Sequence, residues 1–175
     1  MPIYEYDGRL PRVDPTAWIA PGAEVIGDVR IGPECYIGFG VILRGDYGTI
    51  DIGPGCAVEE GVIVHARPQG VAVFGKEATI GHGAMIHNAQ IEDYAVIGMC
   101  AVISDYAKVG RWAIIGEMGL VKSKQQVPSE VIAIGRPVQI QGPVEPRHKT
   151  MWTFGKKVYR ELARTNAQKL KRVAP

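Results

Sequence analysis

Three of the four histidines in this 175-residue chain, His65, His82 and His87, lie close together in sequence. Histidine is the most frequent zinc ligand, and three of them with an open fourth position form the arrangement of a catalytic metal centre. Glu59 and Glu60 precede the first of these histidines, and Arg44 and Asp46 stand further upstream. The three cysteines, Cys35, Cys56 and Cys100, make no even disulfide set and show no CxxC spacing. The metal chemistry therefore rests on imidazole. Whether the three rings can meet depends on the elements that carry them.

Composition points to strands. The chain holds 19 Ile and 19 Val but only 5 Leu, with 22 Gly and 12 Pro. β-Branched side chains suit strands and lose freedom in helices, and the Gly and Pro supply turns. A six-residue period then organises the apolar residues: Ile19, Val25, Ile31, Ile37 and Leu43; then Ile52, Val58 and Val64; then Phe74, Ile80 and Ile86. After a one-residue deletion it continues through Ile91, Ile97, Ile103, Val109, Ile115 and Val121. Two positions before each of these, a small residue such as Ala23, Cys35, Cys56, Ala78 or Ala95 shares the inward side of the strand. Cys35 and Cys56 are thus expected as core fillers. The pattern is the hexapeptide repeat and resembles the left-handed parallel β-helix family, in which three hexads form one coil of a triangular prism. The expected fold is all-β, a left-handed β-helix of five to six coils over about residues 13–140, with a C-terminal α-helix. The chain divides as 1–142 for the β-helix and 143–175 for a basic helix packed on it.

The repeat serves as a ruler. With small insertions at 49–51 and 70–73, Leu43, Val64 and Ile86 fall one coil apart, so Arg44, His65 and His87 form one vertical column. Val58 and Ile80 are likewise one coil apart, which puts Glu60 and His82 in a second column at a different edge, with Glu59 beside it. His65 and His87 can share a metal ion. His82 faces elsewhere, so a three-histidine site takes His82 from a neighbouring subunit, and a threefold homotrimer would make three such sites.

Residues 147–175 carry nine Lys or Arg and one acid, Glu161, against a net charge of −6 elsewhere. Apolar residues at helical spacing in this stretch, among them Met151, Trp152, Val158, Tyr159 and Leu162, predict a helix. Its basic residues read as a solvated face, with no motif for nucleic acid. No apolar run is long enough to span a bilayer and the N-terminus shows no signal pattern, so a cytoplasmic protein without membrane contact is expected.

Three segments, LRGD at Leu43–Asp46, VH at Val64–His65 and IGHGAMIH at Ile80–His87, closely resemble the gamma-class carbonic anhydrase family. Its relatives include proteins encoded with carnitine metabolism and with phenylacetate degradation. The resemblance implies Zn2+, or Fe2+ or Co2+, held by His65 and His87 of one subunit and His82 of the next, with hydration of CO2 to bicarbonate at each seam. It also implies an Arg44–Asp46 pair near the interface and a tyrosine, matched by Tyr159, near the metal. The chain departs from the family before the first metal histidine, where Ala57, Val58, Glu59 and Glu60 replace Asn-x-Gln-Asp. The acidic loop that serves as a proton shuttle in the prototype is also missing. These departures weigh against efficient CO2 hydration and leave metal binding intact. Glu59 could still accept a hydrogen bond from water on the metal, or, as an anion beside it, repel bicarbonate or become a ligand itself. Two other functions compete: a CoA-linked acyltransferase or thioesterase, its basic tail drawing CoA phosphates, and a non-catalytic metal-binding subunit.

Overall fold

In a parallel solenoid each short strand must find its hydrogen-bond partners on the coils below and above, so the repeat length decides the architecture. In the computed structural model, which describes residues 3–173, Trp18 pairs with Tyr36, Tyr36 with Ala57, Ala57 with Thr79, Thr79 with Val96, Val96 with Ile114 and Ile114 with Ile132. These rungs form the first face of a triangular prism. The second face carries Leu43, Val64, Ile86, Ile103 and Val121 in register, and the third carries Ile52, Phe74, Ile91, Val109 and Val127. One long strand, Ile42–Ile52, bends round the edge between the second and third faces and joins them into a single sheet. The expected left-handed parallel β-helix is the observed fold. It has seven rungs on its first face rather than the five to six coils expected, because regular pairing starts near Trp18 and runs to Ile132.

The inward residues are those the period selects. Ile37, Leu43, Ile80, Ile86, Ile97 and Ile103 are fully buried, and so are the small partners Ala23, Cys35, Ala78 and Ala95. Cys35 and Cys56 are buried fillers whose thiols donate to the Gly53 and Gly75 carbonyls. Most corners hold one residue in the left-handed backbone region. Non-glycine side chains take it at Glu34, Glu77, Tyr94, Trp112 and Glu130 along the edge between third and first faces. Each of these from Glu77 onward donates its N–H to a carbonyl of the coil below, and Glu34 donates to the Thr16 hydroxyl, so these five amides are all paired.

The two insertions fall elsewhere than the sequence suggests. Gly27 pairs with Gly45 and Val29 with Ile50, so the extra residues are 46–49, opposite Asp28 alone. Residues 71–74 are a strand, Val71–Phe74, and the second insertion occupies 66–70. Both bulges sit at the edge between second and third faces, directly beside the His65–His87 column.

The solenoid ends in an antiparallel hairpin, Val131–Gly135 with Val138–Pro143. Helix α1 (Pro146–Lys169) then runs back along the first face. Pro at its first turn and the reciprocal Glu145–His148 capping box start it, and Gly155 does not interrupt it. Some of its basic residues, such as Lys157 and Lys169, are exposed as a solvated face would be, but four others dock the helix. Lys149 pairs with Glu130, Arg160 with Glu77 and Arg164 with Glu34 along the corner column. Lys156 is buried beneath the helix, where Nζ donates to the Glu77 carbonyl (2.7 Å) and the Thr79 hydroxyl (2.9 Å) beside the Trp112 ring. Much of the charge asymmetry of the sequence is therefore spent in docking the helix.

Candidate functional site

Two clusters of ionisable side chains lie on different edges. The first is built on the Arg44–His65–His87 column, which is in register across three coils. His65 points one ring nitrogen, Nε2, to Asp46 Oδ1 at 3.0 Å and the other, Nδ1, to His87 Nε2 at 3.2 Å. His87 Nδ1 in turn lies 2.7 Å from Asp105 Oδ1. Arg44 reaches Asp46 at 3.1 Å, and Arg67 forks onto both oxygens of Asp105 at 2.9 and 3.0 Å. The chain of contacts is thus Arg44, Asp46, His65, His87, Asp105, Arg67.

The bulges put these groups in place. Gly45 and Gly48 bracket Asp46 where a side chain has no room. A Cβ on Gly45 would lie 2.6 Å from the Asp28 carbonyl oxygen, and one on Gly48 would lie 2.5 Å from that of Arg67. The tight loop folds Asp46 inward and lays Tyr47 edge-on against the His65 ring, which buries His65 rather than leaving it on the surface. Burial opposes ionisation of Asp46, but the His65 hydrogen bond and the Arg44 charge outweigh it and hold its carboxyl below the ordinary range. Asp105 is held low by Arg67 first, then by His87.

Both carboxylates are therefore ionised at neutral pH and accept hydrogen bonds. With each outer nitrogen donating to its carboxylate, the two facing nitrogens, 3.2 Å apart, would present lone pairs to one point once the proton between them is displaced. Two nitrogens on one tetrahedral zinc ion, each about 2.05 Å from it, stand about 3.3 Å apart. A carboxylate on the far nitrogen is also the usual support of a metal-bound histidine. The pair fits half of a metal site.

The second cluster lies at the edge between first and second faces. His82 Nδ1 is 2.8 Å from Glu60 Oε2, and His82 Nε2 is 3.1 Å from Glu59 Oε2. Glu59 also accepts from the His82 backbone N–H and shares a hydrogen bond with the Tyr159 hydroxyl of α1. Tyr36 donates to Glu60 at 2.6 Å and packs against the Tyr159 ring. Burial raises the Glu59 carboxyl above its ordinary value in spite of His82. It also raises both tyrosines.

The structure thus joins Arg44, Asp46, His65 and His87 in one cluster and Glu59, Glu60, His82 and Tyr159 in another. Among the described residues, no group of three or more His, Cys, Asp or Glu within one chain is arranged to hold a metal ion. Asp105, Arg67 and Tyr36 are additions to the expected residues. Asp105 stands one coil step above Asn88, so the ruler extended one rung above His87 reaches its neighbour Ser104. An apolar groove of about 370 Å³ opens beside His82 and Glu59, between the first face and α1, with Val96, Ile114, Met151 and Trp152 in its walls.

A seven-rung prism of hexapeptide repeats with a single C-terminal helix defines the hexapeptide-repeat class of left-handed β-helix proteins. The chain is 34% identical over 163 residues to the carnitine operon protein CaiE of Salmonella newport, covering 93% of this chain and 82% of that one. It belongs to the CaiE family. Two solved structures agree. A Bacillus cereus protein provisionally assigned as an acetyltransferase superposes with a TM-score of 0.94 at 28% identity, covering 96% of this chain and 98% of that one. A hexapeptide transferase family protein of Anaplasma phagocytophilum gives 0.89 at 31% identity, covering 93% and 96%. No family model matches the chain. Among the described residues no helix is long and apolar enough to cross a membrane.

Proposed function

We propose that the chain is a gamma-carbonic-anhydrase-like metalloenzyme that hydrates CO2 at sites between the subunits of a homotrimer. The observation that carries this reading is the close approach of His65 Nδ1 and His87 Nε2, 3.2 Å apart, with their outer nitrogens held by Asp46 and Asp105. A column of outward apolar residues, Ile42, Ile63, Met85, Val102 and Leu120, runs beside these histidines and supports a subunit contact there. His82 from the neighbour completes the ligand set by giving up one of its two carboxylate contacts and keeping the other behind it.

A divalent cation held by the three histidines supplies a water of lowered pKa at neutral pH. The remaining work falls to the chain's own groups. Glu59 is oriented by Tyr159 and His82, and its buried carboxyl has the raised proton affinity expected of a proton acceptor. Glu60 is more exposed and contacts the same ring, so it leads outward to solvent. Arg44, half-exposed beside Asp46, offers a positive charge to departing bicarbonate. A stopped-flow CO2 hydration assay on zinc- and iron-loaded protein tests the reading, and rates no faster than buffer would overturn it. Asp105→Asn should weaken zinc binding by about 10- to 100-fold while leaving the β-helix circular dichroism unchanged. A competitive chelator titration measures that change.

The apolar groove favours a second reading, acyl transfer or thioester hydrolysis, because CO2 needs no apolar channel. The transferase designations of the two solved structures point the same way. Release of free thiol from acetyl-CoA, followed with a disulfide reagent, decides between the two.

A further inference from the structure

The N-terminal end of the prism carries a third cluster of charge, on the coils below Asp46 and independent of any metal. The first coil is completed by a tight turn, Tyr6–Arg9, closed by reciprocal backbone hydrogen bonds between those two residues. The next strand, Arg12–Val13, then pairs with the coil above, and Arg12 lies directly opposite Arg30. Like charges on adjacent rungs destabilise a sheet.

Elsewhere the chain avoids this cost. Arg44, Arg67, Arg160 and Arg164 each have a carboxylate within 3.4 Å, Arg136 donates to the Met118 carbonyl, and Arg111 lies over Tyr94. Among the described residues, the Arg9 and Arg12 guanidiniums make no hydrogen bond or ion pair. Arg30 has only a distant contact, 3.9 Å from Asp28. Asp28 is itself engaged by the Thr49 hydroxyl, and Asp14 by Thr16. Asp51 stands opposite Arg30 on the coil above. Two hollows meet at the arginine pair. One, of about 390 Å³, is bounded by Gly8, Arg9, Arg12, Asp28 and Arg30, and the other, of about 680 Å³, shares Arg12 and Arg30 with it.

We propose that Arg9, Arg12 and Arg30 form a binding site for a phosphate-bearing small molecule, whose doubly or more highly charged group sits between the opposed guanidiniums and relieves their repulsion. Guanidinium forks match phosphate oxygens, and their five donors are here otherwise unused on two of the three residues. A bare phosphate ion and the phosphate end of a larger metabolite share this chemistry.

The test is thermal unfolding of the full-length protein in a buffer free of polyanions, with ionic strength matched by NaCl. Inorganic phosphate and pyrophosphate are the probes, and an organic diphosphate separates the two sources by its tighter binding. Pyrophosphate is expected to raise the unfolding midpoint of the wild type by several degrees. Arg12→Gln should weaken its half-maximal effect about 10-fold or more. Without polyanion, Arg12→Gln should unfold no earlier than the wild type, because it removes a repulsion rather than a contact. Arg9→Gln, on the exposed turn, gives the same binding readout should Arg12→Gln fail to fold. The exposed helix residue Arg147→Gln should change nothing. Absence of a pyrophosphate shift in the wild type, or an equal shift in Arg12→Gln and Arg9→Gln, would overturn the proposal.

Discussion

Under the proposed intersubunit site, replacing His82 by Ala is expected to abolish zinc binding: metal measured by plasma emission after zinc loading should fall from about one ion per chain to less than about a tenth. His65 and His87 remain fixed by Asp46 and Asp105, but two imidazoles alone leave the ion half-coordinated. The far-ultraviolet circular dichroism of the β-helix should persist, since His82 occupies a corner and not the core. Some stability is lost with it. Glu59 is 6% exposed and would keep only Tyr159 and a backbone N–H as partners. Leaving a buried acceptor short of donors costs about 1–3 kcal/mol. His148→Ala is the control. That fourth histidine accepts the Glu145 N–H in the capping box of α1 and should leave metal content untouched. Full zinc occupancy in His82→Ala would rule out a site shared between subunits.

The second large effect concerns Lys156. The residue is 2% exposed, and its ammonium donates to a carbonyl and a hydroxyl, neither of them charged. Burial pushes its pKa down to about 8 from the ordinary 10.5. The unfolded chain holds this proton more tightly than the folded one, so stability rises with pH between about 8 and 10.5. Below pH 8 the lysine is protonated in both states and the cost of burying its charge is fully present. From pH 7 to pH 10 the gain is about 2–3 kcal/mol. Tyr36, Tyr159 and Cys56, all raised above their ordinary values, act in the opposite sense at the alkaline end. The clean measurement is therefore the difference in urea unfolding free energy between the wild type and Lys156→Met at the two pH values, in a Cys56→Ala background that removes the thiol coupled to Lys156, so that the two tyrosines cancel. That difference should move by about 2–3 kcal/mol in favour of the wild type as pH rises. A constant difference would show that the lysine is not desolvated as the packing implies.

How much of this was legible in the residues varies from one element to the next. A period of six with alternating large and small inward side chains has few packing solutions, so the columns through Leu43, Val64 and Ile86 follow from counting alone. Counting also separates His82 from the other two histidines. The bulges were misplaced because an insertion in a solenoid shifts everything above it equally, wherever in the coil it occurs. Only the steric demand at Gly45 and Gly48 locates the first one at 46–49. That choice buries His65 under Tyr47. The basic C-terminal stretch misled for a different reason. Its acidic partners Glu34, Glu77 and Glu130 are far apart in sequence and become a column only after the chain has wound. Lys156 gave no sign of burial, since a lysine on an amphipathic helix normally reaches solvent.

The pairing of α1 with the corner column carries one more consequence. From Lys149 to Arg164 the helix advances about 22 Å. From Glu130 to Glu34 the prism descends five steps of about 4.8 Å, or about 24 Å. The two lengths are matched, so the helix works as a gauge rod for the solenoid. Removing residues 96–113 would excise one whole turn, leave every strand above and below in phase, and spare His65, His82 and His87 while taking Asp105 away. The rod would then be about one helical turn too long, and its clasp at one end would have to open. A solenoid can otherwise gain or lose units freely. Here the number of turns is tied to the length of a helix.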